Sequence, residues 1–160
     1  RTYRYFSGLP LYAFGHGLSY TTFEFNNLHV DKSEVRAGES VNIRVEVSNT
    51  GSRAGDEVVQ LYTRQFVAPP RPMKELKGFK RISLEPGECK AVTFTLYANQ
   101  LSVYDEELLA AVPPGTVEVM VGNSSDSLPL IGTFDIVGET TGVKNDKVFF
   151  SKVRMERKLS

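Results

Sequence analysis

The side chains first to be tested for chemistry are two histidines, His16 and His29, a lone cysteine, Cys89, and a few grouped acids. Neither histidine stands at a spacing that gathers metal ligands or activates a nucleophile. His16 reads as a hydrogen-bonding turn residue and His29 as a strand or loop residue. Cys89 follows a turn and begins a strand, with no helix N-terminus or patterned histidine beside it, so a passive, partly buried thiol is expected. Asp105, Glu106 and Glu107 are carboxylates in a row. Adjacent residues in a turn project apart into water, and an acidic loop is the expectation there. Asp31, Asp56 and Glu57 read as turn and strand-start residues, because calcium would want a tighter cluster of oxygen donors. The sequence calls for no catalytic residue, no metal and no cofactor.

The elements that carry these residues are strands. In SVNIRVEVSN, Val41, Ile43, Val45 and Val47 share one face while Asn42, Arg44, Glu46 and Ser48 share the other, the pattern of a half-buried strand. Turn chemistry at Asn49-Thr50-Gly51 leads to EVVQLYT, where Val59 and Leu61 point inward and Val58 and Tyr62 outward. Glu85-Pro86-Gly87-Glu88 is a further turn before KAVTFTL, with Val92, Phe94 and Leu96 on one face. Pro113-Pro114-Gly115 precedes Val117, Val119 and Val121, and PLIGTFDIV aligns Leu130, Phe134 and Ile136. The prolines at 69, 70 and 72 cannot donate ladder hydrogen bonds and belong outside any central strand. Apart from a single turn at NQLSVYDEE, no segment between Tyr20 and Val137 has helical periodicity.

About seven short strands joined by Gly/Pro turns predict an all-β, immunoglobulin-like or fibronectin type III-like antiparallel β-sandwich. The absence of Trp and of a cysteine pair points to the fibronectin-like branch. An aromatic arm over 1–20, a sandwich over 21–137 and a polar tail over 138–160 make up the expected organisation. The tail's cations are interleaved with Asp146 and Glu156 and read as a solvated or frayed end. Lys plus Arg and Asp plus Glu both count 19 in the 160 residues, which removes the electrostatic reason to expect nucleic acid or an anionic membrane. No run reaches the length of a spanning helix, and a start at Arg1 reads as a piece of something longer.

The arm carries a more specific signal. Phe14-Gly15-His16-Gly17-Leu18-Ser19-Tyr20-Thr21 resembles the segment that leads into the C-terminal fibronectin type III-like module of family 3 glycoside hydrolases. The resemblance continues in order through VSNTGSRAGDEVVQLYTR, RPMKELKGFKRISLEPGECKAVTFTL, LSVYDEE and PPGTVEVMVGNSS. Ala13 departs from the Pro that commonly precedes Phe-Gly in that family, and LLAAVPPG departs after Glu107. The resemblance implies an accessory module of a β-glucosidase or β-xylosidase whose nucleophile and general acid lie elsewhere. Glycoside hydrolysis needs two carboxylates about 5 Å apart for retention or roughly 6.5–9.5 Å for inversion, and the acidic loop at Asp105 is not expected to supply them.

The partners expected are therefore the catalytic domains of that parent. Tyr5, Tyr12, Phe14, His16 and Tyr20 are the candidate interdomain contact residues, since an arm this aromatic is too apolar for a solvated linker. Gly15 and Gly17 allow the bend that turns the chain between domains. Tyr3, Tyr5, Phe6, Tyr12 and Phe66 would equally suit stacking on sugar rings, which keeps a plant-type polysaccharide as an alternative partner and a free-standing adhesion or scaffold domain as a third reading. Docking onto a sister domain explains the same rings and is preferred because Trp, the usual sugar platform, is absent. The Asn123-Ser124-Ser125 sequon is common enough by chance to carry no weight. Cysteine usage leaves the compartment open among secreted, periplasmic and cytoplasmic.

Overall fold

Residues 19–66, 74–104, 110–142 and 150–158 are described by the computed structural model. The strands are β1 (Phe23–Val30), β2 (Glu34–Val35), β3 (Ser40–Asn49), β4 (Gly55–Gln65), β5 (Glu75–Leu84), β6 (Cys89–Tyr97), β7 (Val103–Tyr104), β8 (Ala110–Val112), β9 (Gly115–Gly122), β10 (Leu130–Ile136), β11 (Thr141–Gly142) and β12 (Lys152–Arg157). Eight of the twelve have six residues or more. A four-stranded sheet runs β1-β3-β6-β12 and a five-stranded sheet runs β2-β10-β9-β4-β5, with a small third sheet β11-β8-β7. Every pairing is antiparallel except the short one between β2 and β10.

Alternation builds the core. The inward residues of β3, Val41 to Val47, are fully buried, as are Val92, Phe94 and Leu96 of β6. They face Val59 and Leu61 of β4 and Val119 and Val121 of β9, all shielded from water. Two sheets closing on one apolar layer is how strands with a single apolar face bury it. At the NQLSVYDEE turn the chain makes one 3-10 turn over Ala98–Leu101.

Three strands escape simple alternation, each for a local reason. In β1 the pattern breaks at Asn27, whose φ is 54° and where the register with β3 shifts. Phe25 is nevertheless in the core and Phe23 packs against it, so these rings belong to the sandwich. In β5 the apolar face is interrupted by Gly78, whose absent side chain makes room for Phe94: a Cβ there would lie 3.1 Å from the ring. The neighbouring Lys77 is buried, its Nζ donating to Glu75 Oε2 and to the Gln100 backbone carbonyl at 2.8 Å each.

The third is β12, Lys152–Arg157, which lies in the stretch of the expected polar tail over 138–160 that reads as a solvated or frayed end. Lys152–Arg157 pairs residue for residue with β6, from Lys152 beside Thr95 to Arg157 beside Lys90. Just before it, the Ser151 amide donates to the Lys77 carbonyl on β5 at 2.8 Å. Residues 150–158 thus begin at the edge of one sheet and finish at the edge of the other. An edge strand has no neighbour to bury its outer flank, which is why its sequence is polar and its alternation weak.

Candidate docking surface

Entry of the arm into the sandwich is fixed by a buried asparagine. Asn49, 1% exposed at the end of β3, donates from Nδ2 to the carbonyls of Arg53 at 2.7 Å and Leu84 at 3.0 Å. Its Oδ1 accepts from Thr21 Oγ1 at 2.8 Å and from the Gly51 amide at 3.0 Å. Every polar atom of that amide has a partner, as a buried polar group requires. The Thr50 amide adds a bond to the Thr22 carbonyl at 2.9 Å. Gly51 and Gly55 leave room for the same threonine: Cβ atoms placed on them would fall 2.0 Å from Thr21 Oγ1 and 2.7 Å from Thr21 Cγ2. The Ser-Tyr-Thr motif and the Asn-Thr-Gly turn, 28 residues apart, are therefore two halves of one clasp.

Held by that clasp, Tyr20 projects into solvent and is 91% exposed. It is the one member of the expected contact set within the described residues, for Tyr5, Tyr12, Phe14 and His16 lie outside them. Other exposed rings lie on the five-stranded sheet and its edge. Leu61 and its register partner Gly78 point inward, so the adjacent Phe79 points out. Its ring meets Phe150 edge-on, centroids 6.2 Å apart, and both rings remain more than half exposed. Phe66 lies under the Arg64 guanidinium at 5.1 Å, and Ile131 is 60% exposed on β10. Exposed rings of this kind are what an interdomain contact covers.

The residues weighed for chemistry are occupied structurally. Asp56 accepts from Ser83 Oγ at 2.6 Å and from two nitrogens of Arg81. The hydroxyl first and the guanidinium second hold its carboxyl below the ordinary range. Glu57 accepts from its neighbour's amide and from Asn123 Nδ2. The sequon side chain is thus a hydrogen-bond donor inside the fold, and Ser124 and Ser125 are buried. Asp31 accepts twice from Asn42, His29 is exposed on β1, and Cys89 is half-buried. The loop Asp105-Glu106-Glu107 and the prolines at 69, 70 and 72 lie outside the described residues. Among the described residues no group of three or more His, Cys, Asp and Glu side chains gathers as a metal site would require.

Known proteins with the same pattern are large enzymes. The family described as fibronectin type III-like domain matches residues 57–125. A β-xylosidase of Formosa agariphila is 45% identical over 124 residues, covering 77% of this chain and 17% of the relative. The thermostable β-glucosidase B of Acetivibrio thermocellus is 43% identical, covering 80% and 18% respectively. Among solved structures, β-glucosidase 3B of Thermotoga neapolitana superposes with a TM-score of 0.79 at 38% identity, over 89% of this chain and 20% of that one. The chain thus spans about a fifth of the length of the relatives it matches. It belongs to the fibronectin type III-like family, and is the C-terminal module of the kind carried by family 3 glycoside hydrolases.

Proposed function

We propose that the chain is a non-catalytic accessory module of a family 3 β-glycosidase, which packs on the catalytic domains and stabilises them. The observation that carries this reading is the mismatch of coverage: more than three quarters of the chain aligns with less than a fifth of each curated enzyme. The clasp around Asn49 supports it, because a rigid anchor transmits position to the arm it holds. Tyr20 and the Phe79–Phe150 pair are the surfaces that the neighbouring domains cover. The parent hydrolyses β-glucosides or β-xylosides.

The test is an assay of the purified 160-residue chain on aryl β-glucosides and β-xylosides. No turnover is expected. Activity that remains through successive purification steps at constant specific activity would place the chemistry in this chain and sink the reading.

A further inference from the structure

We propose that the outer face of the four-stranded sheet binds an acidic saccharide residue, a hexuronate, whose carboxylate sits between Arg44 and Arg154. A cleft of about 310 Å³ lies on that face. The strand registers align its floor: His29 of β1 stands beside Arg44 of β3, Arg44 beside Thr93 of β6, and Thr93 beside Arg154 of β12. One row across all four strands therefore carries three nitrogen bases and a hydroxyl. The two arginines flank Thr93 at two strand spacings, about 10 Å.

Ion pairing accounts for only part of this row. Like charges placed together on a sheet face are unfavourable, and the acids beside them, Glu46 and Glu156, each engage a single guanidinium nitrogen. Glu46, next to Arg44, already accepts from Lys158 Nζ and Asn27 Nδ2 at 2.8 Å each. Arg44 lends it one nitrogen at 3.1 Å and Arg154 lends Nε to Glu156 at 3.2 Å. The remaining guanidinium N–H groups have no acceptor among the described residues, and Thr93 makes no side-chain hydrogen bond among them. Glu46, Glu156 and Asp31 stand among these cations, so what the row offers an anion is directed N–H groups rather than net positive charge.

The rest of the cleft is suited to hydroxyls. Asp31 accepts from both the amide and the side chain of Asn42 at 2.8 Å, and Asn42 Oδ1 in turn accepts from Thr95 Oγ1 at 2.9 Å. This chain of bonds fixes the orientation of three polar groups before any ligand arrives, and preorganised donors and acceptors bind at lower cost. A hexuronate presents a carboxylate and vicinal hydroxyls on one ring. The carboxylate meets the arginines, for which planar acceptors are the natural match, while the hydroxyls meet Thr95, Asn42 and Asp31. The volume stands at the lower end of small-molecule sites, about 300–1,000 Å³, and accommodates a single ring. The inference does not depend on the parent's being a β-glycosidase.

Titrating the isotope-labelled chain with a galacturonate disaccharide, followed by amide chemical shifts, tests it. Saturable shifts confined to β1, β3, β6 and β12 are expected. The neutral galactose disaccharide should give none, and inorganic phosphate should bind at least tenfold more weakly. Arg154→Gln should weaken the acidic disaccharide about tenfold or more, the loss of one charge-assisted contact. Because Arg154 is 71% exposed on an edge strand, its thermal midpoint should stay near that of the parent. No saturable response, shifts centred elsewhere, or an unchanged Arg154→Gln affinity would each overturn the proposal. Phosphate binding as tightly as the disaccharide would reduce the face to a simple anion site and overturn it too.

Discussion

Phe94 and Gly78 face each other between the two sheets, and a double-mutant cycle measures that contact directly. Phe94 is fully buried at the centre of β6, with Ile43 and Val153 on either side. Phe94→Ala removes the ring from a site that only partly collapses, at a cost of about 3–5 kcal/mol. That is a large part of the ~5–15 kcal/mol that holds a domain of this size folded. Gly78→Ala adds a Cβ at 3.1 Å from the ring and 3.2 Å from Ser151 Cβ. Crowding of this degree costs about 1–3 kcal/mol, offset by ~0.4–1 kcal/mol from the stiffer unfolded chain. Once the ring is gone, the first close contact disappears and only Ser151 remains in the way. The double mutant should therefore be more stable than the sum of the single changes by about 1 kcal/mol, within the range for touching residues. Urea unfolding of all four proteins, with unchanged m values as the control, gives the numbers. Additivity to within about 0.5 kcal/mol would mean that the glycine does not exist to admit the phenylalanine, and the account of β5 would fall.

Two further expectations concern the polar anchors. Asn49→Ala leaves the Leu84 carbonyl and Thr21 hydroxyl without their buried partner, and should cost about 2–3 kcal/mol. Hydrogen exchange at the Thr50 and Gly51 amides, which bond the Thr22 carbonyl and Asn49 Oδ1, should quicken beyond the global change, whereas uniform quickening would contradict a local clasp. Glu46 is only 9% exposed, and the Lys158 ammonium first, then the Asn27 amide, lower its pKa from 4.5 to about 2 against the opposing effect of burial. A depressed carboxyl adds stability that is fully present above pH 4.5 and is lost as the pH falls toward 2. Lys158→Met should bring the folded pKa back toward 4.5, so the variant should lose less stability than the parent between pH 6 and pH 3. Identical losses in denaturation at the two pH values would refute the pairing.

Much of this architecture was legible because alternation is a local property. Val41 to Val47 and Val92 to Leu96 announce their inward faces without reference to any partner strand. β5 was not legible, since the reason for Gly78 is a ring that arrives from the other sheet. β12 was hidden for a related reason: an edge strand buries almost nothing, so polar composition is common to it and to a frayed tail. The bend expected at Gly15 and Gly17 lies outside the described residues, and the described end of the motif, Ser19 to Thr21, is half of a clasp whose other half is the Asn49 turn. The row on the outer face had its parts in view, with Arg44 and Thr93 both assigned to polar faces. Their assembly waited on the strand order, because β12 brings Arg154 beside β6 from a position 61 residues further along than Thr93.

The route of residues 150–158 bears on how this module protects the edge of its four-stranded sheet. By occupying the free flank of β6, β12 converts an inviting hydrogen-bonding edge into one lined by Lys152, Arg154 and Arg157. Such charges repel an incoming strand of another copy. A module trimmed at the apparent end of the sandwich, after Val137, would keep its apolar core and lose its guard. Its characteristic failure would be strand-to-strand self-association, a fault of trimming that no measurement of core packing would reveal.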